Sequence, residues 1–159
     1  MMTIVKPDTL AIEISAALPE DVSAIAILLR EAGLPDEDFA DHLAQFLVAR
    51  RRGEIVGAVG LEHHGADALL RSLVVAPALR GAGLGGRLVE HLTAAAQARG
   101  VKRFFLLTMT AAAFFAKRGF QKADRRSVPA AIAGTKEFNS LCPLSAICMT
   151  RTVVETAVP

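Results

Sequence analysis

The chain has 159 residues, of which 52% are hydrophobic and 21% are charged, with a formal net charge of +2 and a mean hydropathy of +0.39. These values exclude a disordered chain, and the length suits one domain that buries a core without disulfides. We therefore predict a single domain over residues 1–159. The chain contains eight Phe but no Tyr or Trp, so no phenol is available as a general acid.

The first half of the chain predicts a strand, two helices and an antiparallel meander. Alternating apolar residues predict a strand over residues 11–17. A helix is predicted from Pro19 to Gly33, with Pro and acidic residues in its first turn, and a short helix from about Asp36. The meander is predicted from strands at residues 46–49, 55–61 and 69–75, with turns at 52–54 and 64–67.

The second half begins with a glycine-rich segment at residues 80–86. A predicted helix follows this segment and ends at Gly100, in the position of a C-cap glycine. The remaining predicted elements are a strand at residues 104–108, a short helix at 111–118, a longer connection from about 121 and a final strand at 145–151.

Several classes of protein are disfavoured by what the sequence lacks. The longest apolar stretch, residues 104–116, is shorter than the roughly 20 residues that span a bilayer. Residues 1–8 lack the features of a secretory signal, so we expect a cytoplasmic protein with no membrane partner. Cys142 and Cys148 are too few for a disulfide framework, and no Cys/His spacing matches a zinc site, so no metal is expected.

Positive charge is concentrated between Arg80 and Arg126, whereas the first quarter of the chain is acidic. Two interpretations remain open on charge alone: a patch that meets an anionic cofactor, or a solvated face without a dedicated ligand. Nucleic acid is disfavoured as a partner, because the net charge is small and no Tyr or Trp is present to stack on bases.

The most informative segment places four glycines within the six residues from Gly81 to Gly86, just before a predicted helix. Without Cβ atoms, several backbone N–H groups can converge on phosphate oxygens at the positive end of the helix dipole. The segment therefore predicts an anion-binding loop.

Three other interpretations of this loop compete. A P-loop is excluded, because Gly86-Arg87-Leu88 stands where Gly-Lys-Ser or Gly-Lys-Thr is required. The spacing from Gly81 to Gly86 satisfies the dinucleotide-binding pattern. A dinucleotide site is nevertheless disfavoured, because the loop does not follow its strand directly and the next strand carries no acidic residue to bind a ribose. A glycine-rich turn without a ligand stays open.

Three runs of sequence resemble the GNAT N-acetyltransferase superfamily. V-V-A-P-A-L-R-G-A-G-L-G-G-R, residues 74–87, is similar to its coenzyme A pyrophosphate loop. F-L-V-A-R-R-R-G-E-I-V-G-A-V-G-L at 46–61 is similar to its second and third strands, and A-F-F-A-K-R-G-F at 113–120 to its fourth helix. The resemblance implies an α/β domain with a mixed, mostly antiparallel twisted sheet, flanked by helices and with splayed central strands.

The same resemblance implies acetyl-CoA as the acetyl donor. The strand before the loop would bond the pantetheine arm through its backbone, and the loop N–H groups would hold the pyrophosphate with Arg80 beside it. The implied cofactor-binding residues are Leu73, Val74, Val75, Arg80, Gly81, Ala82, Gly83, Leu84, Gly85, Gly86 and Phe115.

The catalytic residues are where the chain departs from the family pattern. Phe115 stands at the position of the Tyr that many members use as acid to the thiolate. Leu107 occupies the position of a Glu that some members carry, and Thr108 that of an Asn often found near the fourth helix. The source of the proton for the departing thiolate is therefore open.

Glu62, followed by His63 and His64 at the end of the third strand, is the candidate general base, with a solvated hairpin end as the alternative. Arg71 and Ser72 lie on the strand leading to the thioester and are candidate substrate contacts, with Arg71 able to bind a carboxylate. Cys142 is either a polar contact from the last loop or a small packing residue.

A narrower resemblance, spanning residues 31–149, concerns the acetyltransferases associated with arsenic-resistance operons. It is carried by the runs E-A-G-L-P, G-L-E, L-L-R-S-L-V-V-A-P, F-F-L-L-T-M-T-A-A-A-F-F and P-A-A-I-A-G-T-K-E-F-N-S-L-C-P-L-S-A. It implies detoxification through acetylation of a small primary amine, with an amino acid or an amino-acid mimic as the expected substrate. The alternative function is a catalytically weak acyl-CoA-binding or regulatory protein. Because the family often forms dimers, a homodimer is included among the expected partners.

Overall fold

The computed structural model describes residues 11–153, so the N-terminal segment considered above lies outside the described residues. The seven strands form one sheet in the order β1-β2-β3-β4-β5-β7-β6. The strands are β1 Ile12–Ala16, β2 Phe46–Arg51, β3 Glu54–His64, β4 Asp67–Val75, β5 Arg103–Thr108, β6 Gln121–Lys122 and β7 Ile147–Thr152. The α-helices are α1 Val22–Glu31, α2 Leu84–Ala98, α3 Ala112–Ala116 and α4 Ala130–Ala133.

The sheet is mixed and mostly antiparallel, which confirms the predicted fold class. β1 pairs with β2, β2 with β3, and β7 with both β5 and β6, all antiparallel. The parallel pair is β4 with β5, whose register runs from Asp67 opposite Arg103 to Leu69 opposite Phe105. Among the described residues no helix is long and apolar enough to cross a membrane.

The chain divides into two compact units. The first contains the chain up to Gly60 together with Ser72–His91, and the second contains Leu61–Arg71 and the chain from Leu92 onward. The core of the first unit is formed by buried side chains of Ile25, Leu29, Phe39, Phe46, Val48, Ala58 and Val74. The core of the second is formed by Leu69, Phe105, Ile132, Phe138 and Cys148.

The hairpin of β2 and β3 shows how the first unit is specified by its sequence. Arg52 and Gly53 both adopt positive φ, 52° and 79°, which is the geometry of a type I′ turn and matches the twist of the two strands. Phe46 pairs with Gly60 across the strands. A Cβ on Gly60 would lie 2.2 Å from the Phe46 ring, so only glycine lets this ring pack onto the backbone of β3.

The structure corrects two predictions about local elements. The short helix predicted from Asp36 is a 3-10 helix over Phe39–Gln45. The connection predicted from residue 121 contains β6, α4, a 3-10 turn at Arg125–Ser127 and a π-helix at Glu137–Leu141. These elements are two to five residues long, too short to produce a periodic pattern of apolar residues.

A partly buried ion pair lies at the start of α1. The Asp21 carboxylate accepts a hydrogen bond from Arg50 Nη1 at 2.9 Å, a second from Arg50 Nη2, and one from the backbone N–H of Leu18 at 2.7 Å. The hydrogen bonds from Arg50 are the largest cause of a pKa of Asp21 below its ordinary 3.8, and burial opposes them. Folding therefore favours the ionised form of this carboxyl.

Replacing Asp21 with Asn should lower the free energy of unfolding at pH 7 by about 1.5–3 kcal/mol, because the hydrogen bonds are to a charged group. Since folding lowers the pKa of Asp21, this stabilisation is present above the ordinary pKa and is lost as the pH falls through the lower folded value. Urea unfolding at pH 7 and pH 3 measures the difference, which should shrink at the lower pH. Asp36→Asn removes the partner of the exposed Arg30 and is the matched control. An equal loss at both pH values would contradict the interpretation.

Candidate functional site

The glycine loop joins β4 to α2 in the first unit. Pro77–Leu79 form a 3-10 turn after β4, Arg80 is extended, and α2 begins at Leu84. Leu84 and Leu88 are buried and anchor the first turns of this 15-residue helix. The loop before them is exposed. The N–H groups of the first helical turn have no partner within the helix, so they are directed toward this exposed loop.

Two loop glycines adopt backbone conformations that side chains rarely take. The φ angles of Gly81 and Gly83 are 83° and 87°. A Cβ on either residue would meet no heavy atom of the described chain within 4 Å. These glycines are therefore not required by packing within the chain, and they leave open space above a turn of backbone N–H groups, as a bound anion requires.

Arg80 and the end of β4 lie together. Arg80 Nε donates a hydrogen bond to the Val75 carbonyl at 3.1 Å, while the side chain stays exposed. β3 approaches closely here, because a Cβ on Gly57 would lie 3.2 Å from the Val74 carbonyl and 3.1 Å from Leu88. The first unit thus contains the strand predicted to bind pantetheine, the loop predicted to bind the pyrophosphate, and Arg80.

Ser72 interrupts the regular backbone of β4. Its φ angle is 59°, a left-handed conformation that non-glycine residues adopt at a cost of about 1–3 kcal/mol. The residue stands after the three pairs that join β4 to β5 and before Leu73–Val75. Sequence reasoning does not predict this conformation, because Ser has no marked preference for it; only the observed angle shows it.

In the second unit, Glu62 and Arg71 come together with an acidic residue that the sequence does not indicate. The Arg71 side chain is fully buried. Its Nη1 donates to Glu62 Oε2 at 2.7 Å, and its Nη2 lies 3.4 Å from Glu137 Oε1. Glu62 and Glu137 are each 4% exposed. We call these three side chains the carboxylate–arginine cluster. Its geometry places Arg71 between two protein carboxylates, and its predicted contact with a substrate carboxylate stays a prediction.

Two histidines adjoin this cluster on β3. His64 Nε2 lies 3.8 Å from Glu62 Oε1. The His63 ring instead contacts the Gly65 carbonyl through Nε2 at 2.7 Å. The neighbouring histidines therefore differ in surroundings, and of the two it is His64 that lies close to the Glu62 carboxylate.

Phe115, on α3, is buried against two other Phe rings. Its ring centroid lies 5.0 Å from that of Phe114 and 5.5 Å from that of Phe120, both near edge-on. Thr108 Oγ1 accepts a hydrogen bond from the Ala111 N–H at 3.0 Å, just before α3. The position that matches the phenol of many family members thus holds an apolar ring, and the Thr108 hydroxyl binds the backbone of the following loop.

The two cysteines occupy different surroundings. Cys148, on β7, is buried in the core of the second unit, and Cys142 is half-buried after the π-helix. Burial is the main cause of a raised pKa of the Cys148 thiol. Cys148 is therefore a packing residue that stays protonated at neutral pH.

A model of the acetyltransferase (GNAT) domain matches residues 42–122, just over half of the chain. The chain therefore belongs to the GNAT acetyltransferase family, which confirms the broader of the two resemblances.

Among curated proteins, the amino-acid acetyltransferase of Ralstonia nicotianae is 36% identical over 102 residues, covering 63% of this chain and 22% of that protein. The chain spans less than a third of the length of the amino-acid acetyltransferases that it matches.

Many solved structures share the fold, including two that are bound to coenzyme A. N-acetylglutamate synthase from Neisseria gonorrhoeae, complexed with coenzyme A and N-acetyl-glutamate, has a TM-score of 0.78 at 25% identity and covers 91% of this chain and 35% of its own. A Mycobacterium tuberculosis protein in complex with CoA has a TM-score of 0.77 at 24% identity, covering 89% of this chain and 99% of its own.

Proposed function

We propose that the chain is an N-acetyltransferase that transfers the acetyl group of acetyl-CoA to the primary amine of a small molecule. The observation that carries the proposal is the exposed segment from Gly81 to Gly83, directly before the long helix α2, where a Cβ on Gly81 or Gly83 would meet no heavy atom within 4 Å. Such a loop suits a diphosphate, because convergent N–H groups and the helix dipole both favour negative charge. Coenzyme A in related GNAT structures supports this assignment.

The rest of the cofactor is assigned to the end of β4. The backbone of Leu73–Val75 follows the left-handed turn at Ser72 and lies beyond the three pairs that join β4 to β5. An amide-bearing arm can bond such a strand as an added strand. Arg80 holds the Val75 carbonyl and stays exposed, so its guanidinium lies beside the path from the arm to the diphosphate.

Acetyl-CoA supplies an activated acyl group as a thioester. Glu62 takes the proton of the attacking amine, and Arg71 holds that carboxylate in place through Nη1. No phenol is available in the chain to protonate the thiolate, so the thiolate takes its proton from water or another side chain, or leaves unprotonated. Positioning of amine and thioester supplies much of the rate, since it can contribute roughly 7–11 kcal/mol in favourable intramolecular cases.

The substrate class proposed is an amino acid or an amino-acid mimic, with a role in arsenic-related detoxification. The similarity to amino-acid acetyltransferases and the sequence runs at residues 69–77 and 133–143 support it. A steady-state panel should give higher kcat/KM for glutamate, other amino acids or an arsenic-containing mimic than for polyamines. Equal or higher values for polyamines would contradict this substrate class.

We also propose that residues 1–159 form one catalytic domain, located in the cytoplasm and able to form a homodimer. The family match supports the first point, because residues 42–122 take in parts of both compact units. Sedimentation velocity would test the dimer.

Replacing Gly83 with Ala should weaken acetyl-CoA binding about tenfold or more, because a Cβ there enters the space assigned to the diphosphate and strains a backbone with φ near 87°. Isothermal titration with acetyl-CoA measures the loss. Gly53→Ala is a matched control: its φ is 79°, its Cβ also meets nothing within 4 Å, and it lies in the β2–β3 turn. Equal affinities in both variants would contradict the loop assignment.

The second candidate function is an acyl-CoA-binding or regulatory protein with weak turnover. The buried, apolar Phe115 favours it, since the general acid of many GNAT enzymes is absent there. Both functions predict cofactor binding, so only amine-dependent release of free thiol separates them.

A further inference from the structure

We propose that His64 carries the amine proton from Glu62 to solvent during acetyl transfer. The proposal rests on the function proposed above and adds a proton path to it. It concerns residues of the second unit only: Glu62, His64 and the two other members of the carboxylate–arginine cluster.

His64 bridges the buried cluster and the surface. Its Nε2 atom is buried and has no hydrogen-bond partner among the described residues, although it lies 3.8 Å from Glu62 Oε1. The side chain as a whole is 31% exposed, against 5% for Glu62. A small movement of the ring would bring Nε2 within hydrogen-bonding distance of the carboxylate. A buried polar atom without a partner is costly, so its placement calls for a functional explanation.

The two oxygens of Glu62 have separate neighbours. Oε2 accepts the hydrogen bond from Arg71 Nη1 at 2.7 Å, and Oε1 is the oxygen on the side of His64. Arg71 thus fixes the orientation of the carboxylate through Oε2, while Oε1 faces the histidine. Glu137 Oε1 lies 3.4 Å from Nη2, the other terminal nitrogen of the guanidinium.

The steps balance in protons. Glu62 Oε1 accepts a proton from the substrate ammonium, which leaves the neutral amine to attack. Glu62 then passes that proton to Nε2 of a His64 ring protonated on Nδ1, and Nδ1 releases its proton to water. Exchange of the ring proton with solvent then restores the starting tautomer. One proton leaves the substrate and one reaches water, and both side chains return to their starting states.

The test uses the full chain and two replacements, His64→Ala and His64→Gln, with His63→Ala as the matched control. Amine-dependent release of free thiol is measured in dilute buffer, with and without added imidazole. We expect kcat to fall about tenfold or more in both His64 variants, with the KM for acetyl-CoA unchanged. Imidazole should restore kcat in His64→Ala, and His63→Ala should match the unaltered chain.

An unchanged kcat in the His64 variants would overturn the proposal, and so would a loss that imidazole does not restore, since a purely structural role would give that result. These outcomes leave the proposed function intact, because the unaltered chain turns over in each. If the unaltered chain releases no thiol with any amine, the proposed function fails and the proton path fails with it.

Discussion

Replacing Arg71 with Met should lower the free energy of unfolding by about 3–5 kcal/mol, the cost of leaving buried charge uncompensated. Arg71 is fully buried and lies within 2.7 Å of Glu62 and 3.4 Å of Glu137. Methionine is similar in length and apolar, so the change removes the guanidinium without leaving a large cavity. Urea unfolding followed by circular dichroism measures the loss at pH 7.

Arg103→Met provides the matched control in the same unit. Arg103 also pairs with a carboxylate, Asp67, at 2.8 Å, but 49% of its side chain is exposed. Surface pairs contribute about 0–1 kcal/mol, so this variant should be nearly as stable as the unaltered chain. Adding Glu62→Gln and Glu137→Gln to Arg71→Met should recover part of the loss. Equal losses in the two Arg variants would contradict the cluster as a buried ionic unit.

Replacing Glu62 with Gln should reduce amine-dependent thiol release about 10²–10⁴-fold, the usual contribution of a general base. Glutamine retains an oxygen that can accept the hydrogen bond from Arg71 Nη1, and it cannot take up the amine proton. The affinity for acetyl-CoA should stay unchanged, because the cofactor is assigned to the loop after β4. Steady-state kinetics and acetyl-CoA titration separate the two effects.

Glu54→Gln is the control for this substitution, since Glu54 lies on the same strand and is exposed. It should leave both parameters unchanged. A Glu62→Gln variant with full turnover would remove Glu62 as the base, while one that loses acetyl-CoA binding would indicate a structural role instead.

The features that the sequence predicts well are local ones. The β2–β3 turn is predicted from Arg52-Gly53-Glu54 between two apolar runs, because glycine readily takes the positive φ that Gly53 adopts. The loop from Gly81 to Gly86 is predicted from glycine density before a helix, and both glycines with positive φ lie where an anion-binding turn needs them. These signals are carried by adjacent residues, so tertiary structure is not required to interpret them.

The carboxylate–arginine cluster could be predicted only in part. Glu62 and Arg71 lie near each other on consecutive strands, so their pairing is within reach of a sequence argument. Glu137 comes from a five-residue π-helix in a connection without periodicity, and nothing in the sequence relates it to β4. Arg125 holds this segment by hydrogen bonds to the carbonyls of Phe138 and Pro143, contacts that depend on tertiary folding.

Because the chain has no Tyr, the central question is whether it transfers an acetyl group at all without a phenol to protonate the departing thiolate. Phe115 is buried against two aromatic rings, so the proposed acetyl transfer has to proceed without a phenol at this position. The most direct test follows free thiol release from acetyl-CoA, with mass spectrometry of the amine, across amino acids, amino-acid mimics and polyamines. The account predicts that at least one amine gains an acetyl group in equal amount to the thiol released. Measurable acetyl-CoA binding with no amine-dependent thiol release would contradict it.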